Sequence, residues 1–482
     1  MACVKCHRPS GMGSLEGDLT IPPITGRFLF QKEEGQPVAV LDPRTARKIT
    51  QPHPAYSLRS LSKVLREGVD IRGKKMSPLM PHYTLADDDV RAIMAYLDSL
   101  SATVSPGVSP TQIRFATIIT PDTPPHRKDL LIKMLSSAFH QRNVSQRLHS
   151  GSMGMPMEHL PHVHREWDLA VWEVTGDPST WQQQLIQYNQ DHPAFAIFSG
   201  TSEGTWEPIQ DFCERGRIPC LFPSLIAPPQ QTGSHSFNFS KGLALEAAVL
   251  SKFAAMRDRE GPTHWIQVHK TDVPGQLASK TFIKSSEGQP RTITDIEWDG
   301  SLKNLQDQLQ TNAMNMADSS LILWLSSEEL EALHLDQWQT LPKGIYLSGH
   351  LTHGHPPQLP ETMAASVHVI SPYEVGLKRS KQTDTLRSWL KTWDLPLSDE
   401  AFQSEVFFDL LMLTDLSSQM LDNLYRDYLI ERTEDMLSWG TNVSVYPRLS
   451  LSREQHYASQ GAYVTKLDSK GQLVPESDWM VP

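Results

Sequence analysis

The feature that most constrains this chain stands at its front: two cysteines two residues apart with a histidine directly after, Cys3-Val4-Lys5-Cys6-His7. Side chains at i and i+3 share one side of a helical turn, so the thiols stand together and the imidazole comes one residue further round. Zinc would need two more ligands, and no second Cys-x-x-Cys or nearby Cys/His pair follows. A redox dithiol would leave the histidine a coincidence. Covalent haem uses all three groups: the thiols reach the two porphyrin vinyls, and His7 lies under the iron as its proximal ligand. The motif therefore reads as the attachment site of one c-type haem.

The next hundred residues keep the order of a class I cytochrome c, and residues 1–102 resemble that family. Cys3-Val4-Lys5-Cys6-His7-Arg8-Pro9-Ser10-Gly11 is succeeded by Pro22-Pro23-Ile24-Thr25-Gly26, by Ser77-Pro78-Leu79-Met80-Pro81, and by a helix ending Ala95-Tyr96-Leu97. The resemblance implies that the Pro loop crosses the proximal side of the haem and that the last helix packs on its edge. It also implies Met80 as the distal ligand, a soft thioether that favours ferrous iron and raises the potential. Met76, four residues earlier in the same loop, competes; Met94 lies on an apolar stripe and reads as core. The family's usual helix before the first Cys has no counterpart, since only Met1 and Ala2 precede Cys3.

Helix signals support an all-α first domain. Leu58, Leu61 and Leu65 recur at helical spacing before Gly68, which predicts a helix over 57–68. Thr84-Leu85-Ala86-Asp87 matches a capping box, opening a helix to about 100 with Val90, Ile93, Met94 and Leu97 as its stripe. This segment holds 14 basic and 11 acidic side chains, a net of +3, so with −11 for the whole chain the remainder carries −14. That acidic balance gives no support to general nucleic-acid binding. No apolar run reaches membrane-spanning length.

Residues 103–112, rich in Ser, Pro and Gly, read as a linker. Beyond them strands and helices alternate. Strands are predicted at 114–120, 169–174, 195–199 and 218–222, with helices at 126–142, 180–191 and 205–214 between them. A long helix at 241–257 precedes further strands at 265–269, 320–325 and 344–347. Residues 400–439 read as helical, and 443–474 as short strands and turns. This rhythm argues for parallel sheets covered by helices, built twice into two lobes.

Residues 113–482 resemble a type I periplasmic binding protein, the class of receptors for branched-chain amino acids and amides. Phe195-Ala196-Ile197-Phe198-Ser199-Gly200-Thr201 and Phe212-Cys213-Glu214-Arg215-Gly216-Arg217-Ile218-Pro219-Cys220-Leu221-Phe222-Pro223 carry the resemblance. So do Phe237-Asn238-Phe239, Tyr446-Pro447-Arg448-Leu449 and Gly461-Ala462-Tyr463-Val464. Open α/β sheets bind ligands beyond the carboxyl ends of their strands. Ser199, Thr201 and Ser202 stand at such an end beside a helix N-terminus, and Ser224 follows the next strand; ligand contact and helix capping are both open to them. No acidic residue to hold an amino group is legible. Cys213 and Cys220, at a helix end and a strand start, predict a disulfide in an oxidising compartment, with two buried thiols as the alternative. His159, His162 and His164, and again His350, His353 and His355, share one spacing that suits either a metal site or a plain surface loop. Nucleophile elbow, phosphate loop and dinucleotide fingerprint are absent.

The resulting expectation is a multidomain protein, an all-α cytochrome c domain followed by a two-lobed α/β domain. It would be a periplasmic electron carrier with one covalent haem c, a redox protein as partner, and a small molecule as a further partner for the second domain. No leader is legible ahead of Cys3, so export implies a start further upstream or a trimmed chain. Two rivals stand beside it: a transport or sensory receptor with an accessory haem domain, and an enzyme passing substrate electrons to the haem.

Overall fold

A computed structural model describes residues 2–16, 19–31, 40–42, 47–48, 53–152, 165–257, 263–312, 318–335, 342–354, 365–436, 444–468 and 471–482. The first hundred residues open with a single helical turn, α1 (Val4–His7), and an antiparallel pair, β1 (Ser14–Glu16) and β2 (Leu19–Ile21). A second turn, α2 (Gly26–Leu29), and a second antiparallel pair, β3 (Val40–Asp42) and β4 (Arg47–Lys48), come after them. Helices α3 (Leu58–Glu67) and α4 (Asp87–Ser99) complete the region. The all-α expectation is therefore corrected: helices dominate, but two short strand pairs lie between α1 and α3.

Local chemistry sets the helix ends. Ser57 caps α3 by accepting the Ser60 N–H, and Gly68 ends it with φ +65°, where a Cβ would meet the His82 ring at 2.2 Å. The expected box at Thr84 is not used. Helix α4 opens after Ala86, and Asp89 accepts the Ala86 N–H at 2.8 Å. Three successive aspartates, 87–89, favour the positive end of the helix dipole, and only Asp89 stands three residues after the cap.

From 112 onward the chain builds two sheets. The first collects β5 (Gln112–Ile119), β6 (Glu166–Glu173), β7 (Ala196–Phe198), β8 (Thr201–Ser202), β9 (Cys220–Leu221), β10 (Ser224–Leu225) and β11 (Ser236–Phe237), all parallel. Its order is β10-β8-β5-β7-β9-β11, with β6 also on β5. Helices α5 (Pro125–Ser152), α6 (Pro178–Asp191) and α7 (Glu207–Gly216) connect it. Strand β5 is apolar on both faces because both are covered. Ile113, Phe115 and Ile119 enter one core, Ala116 and Ile118 the other. Phe115 packs edge-on against Phe139, Trp167, Phe195 and Phe198. Burying such a ring stabilises by about 1.5–3 kcal/mol.

The second sheet comes after α8 (Leu243–Arg257) and contains β12 (Thr263–Lys270), β13 (Arg291–Trp298), β14 (Ser319–Trp324), β15 (Gly344–Ser348) and β16 (Val367–Ser371), linked through α9 (Val273–Ser285), α10 (Leu302–Asn312) and α11 (Ser327–Ala332). The chain then returns to the first lobe as α12 (Gly376–Thr392), α13 (Glu400–Met420) and α14 (Arg426–Met436), and crosses back to add β17 (Tyr463–Leu467) and β18 (Leu473–Pro475). The order is β13-β12-β14-β15-β16-β17-β18, parallel up to β16 and antiparallel beyond. Alternate residues divide again: Trp265, Ile322, Trp324, Tyr346 and Ile370 face one core, and Ile266, Val268, Leu321, Leu323, Ile345 and Leu347 the other.

Two lobes were expected, and two are found. The helix expected over 400–439 breaks after Met420, where Leu421 takes φ +52°, and its last residues lie outside those described. The linker is packed rather than free: Ser105 N–H donates to Leu424 O, and Gly107 O accepts the Arg114 N–H at 2.8 Å. Met12 and Phe28 of the first region share a buried cluster with Phe402, Phe408, Tyr425 and Tyr428 of the first lobe.

Candidate functional site

The sequence motif at the front becomes a definite arrangement. Helix α1 presents the Cys3 and Cys6 thiols, both unbridged and neither buried. His7 Nδ1 lies 2.9 Å from the carbonyl oxygen of Pro22, to which it donates, and Gly13 N–H closes the turn on His7 O at 3.1 Å. Nε2 is left without a hydrogen-bond partner among the described residues. Burial lowers the His7 pKa and outweighs the Pro22 bond, so the ring is neutral and can act as a ligand.

The same region holds an apolar wall, whose Tyr83 stands beside Cys3. Leu61, Leu65 and Val90 are buried, and Phe30, Tyr56, Leu58, Met80, Tyr83, Leu85, Ile93 and Met94 pack half-buried against them. Met80 belongs to this wall. The Met76 N–H is tied to Gly68 O at 2.8 Å. Gly26 brings α2 onto α4: a Cβ there would stand 2.6 Å from Asp98 Cα. This donor set fits a haem. Two thiols on one turn suit the vinyls, a neutral imidazole held by a backbone carbonyl suits the proximal iron position, and a thioether stands on the apolar wall. Once bound there, the haem supplies one-electron chemistry. The chain's own part is to fix the imidazole through Pro22 and to keep water from the apolar side.

A second constellation, not legible in the sequence, holds the Cys3–His7 turn to the large domain. Arg8, its side chain only 5% exposed, pairs with Glu434 at 2.6 Å and donates to Glu431 O. Glu431 accepts Ser10 N–H at 2.7 Å and Ser10 O–H at 2.5 Å. Arg27 donates to Tyr425 Oη at 2.8 Å. Burial pushes Glu431 up to about 7, against the Ser10 bonds and Arg8.

Between the lobes lies a cavity of about 20 Å³, lined among others by Arg127, Ser224, His350, His353, Tyr373 and Glu405. It has room for about one water. Arg127, from the start of α5, donates to Asp399 and Glu203 of its own lobe and reaches across to the His353 ring at 2.8 Å. Burial opposes ionisation of Asp399, yet Arg127 prevails and holds its carboxyl below the usual range. Burial lowers His353 to about 4, with the adjacent Arg127 charge adding to it. His350 Nδ1 meets Glu246 at 2.9 Å, and the Tyr446 hydroxyl donates to Glu405 at 2.6 Å. Burial raises Glu405 above the usual carboxylate range.

The four hydroxyls singled out from the sequence separate here. Ser224 lines the cavity. Ser202 Oγ donates to Asp122 and accepts the Gly204 N–H within the loop, while α7 starts after Trp206 with no side-chain cap, so Ser202 does not cap that helix. Thr201 is buried, its carbonyl taking the Thr120 and Thr123 hydroxyls. Ser199 is buried at φ +54° beside the Asp409 carboxyl. Cys213 and Cys220 are joined by a disulfide, with Cα atoms 6.2 Å apart. His159, His162, His164 and His355 lie outside the described residues; among those described, no three His, Cys, Asp or Glu converge as metal ligands. None of the helices described is long and apolar enough to cross a membrane.

The residues missed are Arg8, Ser10 and Glu431 at the junction and Arg127, Tyr373 and Glu405 in the cleft. One signal was available: Glu405 and Asp409, two acids one turn apart within the apolar run of α13.

Comparison with known proteins falls into two parts. Residues 1–101 match the family model for cytochrome c. The large domain has the fold of type I periplasmic substrate-binding proteins. A fatty acid ABC transporter substrate-binding protein from Thermomonospora curvata superposes with TM-score 0.54 at 12% identity, over 79% of this chain and 95% of that one. A branched chain amino acid ABC transporter from Thermus thermophilus with bound valine gives 0.54 at 8%, over 77% and 97%. A solute binding protein from R. palustris in complex with benzoate gives 0.52 at 12%, over 77% and 98%. At these identities the likeness is one of fold. No curated protein matches the sequence.

Proposed function

With residues 1–101 a cytochrome c domain and the remainder built on the type I periplasmic-binding-protein fold, we propose that this chain is an electron carrier working outside the cytoplasm. It holds one haem through Cys3, Cys6 and His7, with Met80 as the second axial ligand, and exchanges single electrons with a partner redox protein. The large domain is its docking and ligand-sensing body. The observation that carries this reading is His7: its Nδ1 is fixed on Pro22 O at 2.9 Å, which leaves Nε2 as the ligand atom, and the same hundred residues hold an apolar wall on which Met80 packs. A ligating histidine is oriented in this way by the bond its other nitrogen makes. Cavity residues Arg127, Ser224, His350 and Glu405 are the groups a small ligand would meet when the lobes part.

Protein produced in a host that attaches c-type haem should keep one haem per chain through denaturing electrophoresis. Cys6→Ala should weaken or abolish that retention. Haem-free protein from such a host would overturn the assignment.

A further inference from the structure

Three chain crossings join the two lobes, near 238–242, 372–375 and 444–462. The third lies against the other two. Asn238 N–H donates to His456 O at 2.9 Å, Ala458 N–H to Asn238 O at 2.9 Å, and Ser459 N–H to Phe239 O at 2.6 Å. Glu374 N–H donates to Val445 O at 2.7 Å. The side chains repeat the pattern. Tyr373 of the second crossing lies 5.4 Å from Tyr446 of the third, which stacks on Phe239 of the first at 5.4 Å and 9°. His456 stacks on Phe237 at 4.1 Å. At the cleft end Tyr373 lines the interlobe cavity, 5.5 Å from the His350 ring.

The same third crossing meets the haem-attachment turn on both sides of His7. Arg453 donates to Lys5 O, inside the turn, at 3.2 Å. His456 Nε2 is 3.4 Å from Glu434, and Glu434 pairs with Arg8, the residue after His7, at 2.6 Å. His456 and Arg8 are almost fully buried. Hinge and haem turn are therefore not separate parts joined by a tether.

We propose that opening of the interlobe cleft and the oxidation state of the haem are linked through this segment, so that the cytochrome reads whether the cleft is closed. The inference rests on the haem and cleft reading above. Two lobes with separate cores turn about their crossings as the softest motion available, and packed interfaces change between discrete arrangements rather than deform. Rotation at the hinge moves 444–462 against α14 and re-sets the Arg8–Glu434–His456 contacts. Those contacts hold a buried positive charge one residue from His7 and fix the turn that aims its ring. Charge and orientation around an axial ligand tune its iron. Linkage is reciprocal: whatever closure does to the potential, reduction does to closure with the same free energy.

Because of that reciprocity the test needs no ligand. Full-length holoprotein is held ferric with ferricyanide or ferrous with dithionite, and amide hydrogen exchange is followed by mass spectrometry. Exchange should differ about fivefold or more between the two states at 444–460 and in the cleft segments 222–227 and 349–354. Glu434→Gln should abolish the cleft difference and leave that around 3–8 and 76–83. In the other direction, His353→Ala removes the cross-lobe bond to Arg127 and should shift the ferric–ferrous equilibrium about fivefold, a tenfold change being about 59 mV for one electron. Identical cleft exchange in the two oxidation states overturns the proposal, however the variants behave, and this comparison needs no variant to fold. A protein lacking covalent haem or a reversible one-electron transition overturns the underlying haem reading as well, and is recognised beforehand from its spectrum.

Discussion

At the scale of single residues, the two methionines of one loop are the sharpest case. Met80 packs on the wall of Leu61, Leu65 and Val90, while Met76 has its backbone pinned to Gly68 O. Met80→Ala should remove the weak red-edge absorption of thioether-ligated ferric iron, admit added imidazole, and lower the reduction potential, because a neutral ligand favouring ferrous iron is gone. Met76→Ala should leave all three unchanged. Redox titration with visible spectra decides, and the reverse pattern would move the ligand to Met76. Glu431 makes a second residue-level test. Its carboxyl is raised from an ordinary 4.5 to about 7 by burial, with Ser10, Arg8 and Glu434 facing it. A raised carboxyl pKa contributes stability that is fully present below about 4.5 and lost as pH rises through about 7, on the order of 3 kcal/mol. Glu431→Gln imitates the neutral form, so its thermal midpoint should stay flat between pH 5 and 7.5 while that of the unchanged protein falls.

Elements respond to backbone contacts that spacing does not reveal. Helix α2 lies so close to α4 that Gly26 faces Asp98 Cα, and Gly26→Val should push the two apart. A loss of about 1–3 kcal/mol is expected, read from chemical unfolding of the holoprotein followed at the haem band. The α7–β9 connection is closed by Cys213 and Cys220 over seven residues of separation. Replacing both by Ser should cost about 2–3 kcal/mol, the loop-closure entropy of so short a ring, and leave the haem spectrum untouched. Two freely alkylated thiols in protein unfolded without reductant would show the bridge absent. The extent of α3 was legible because the Leu58, Leu61 and Leu65 spacing and the Gly68 stop act within their own helix; its Ser57–Ser60 cap was not read. The start of α4 was misplaced by two residues because several acids could serve its first turn, and geometry chose Asp89.

For the whole molecule, the decisive contacts span the chain. Arg127 bridges the lobes to His353, whose pKa burial and the neighbouring guanidinium lower to about 4. A group lowered in the folded state contributes stability above its unfolded pKa near 6.5, and that contribution is lost as pH falls towards 4. Protonated His353 would also repel Arg127. Acidification over that window should therefore open the cleft, seen as a rise in radius of gyration by small-angle scattering. His353→Gln, which still accepts from Arg127 but cannot take up the proton, should remove the rise. A radius independent of pH in the unchanged protein would show that another contact holds the lobes.

Sequence alone determined what depends on neighbours within a few residues. The thiols and imidazole of Cys3–His7 share a turn because helical rise and twist put them there, and β5 announced itself through Phe115, Ile118 and Ile119, apolar residues on both of its covered faces. Even the order of the Pro loop, the Met80 loop and α4 could be read as one domain. Tertiary structure decided the rest. Ser10 meets Glu431 across 421 residues, Arg127 meets His353 across 226, and Tyr373, Tyr446 and Phe239 meet only where three crossings converge. No local rule relates such residues. Their encounter is set by how two lobes and a cytochrome domain bury their apolar faces together, and the buried charges at the junction persist because each found its partner there.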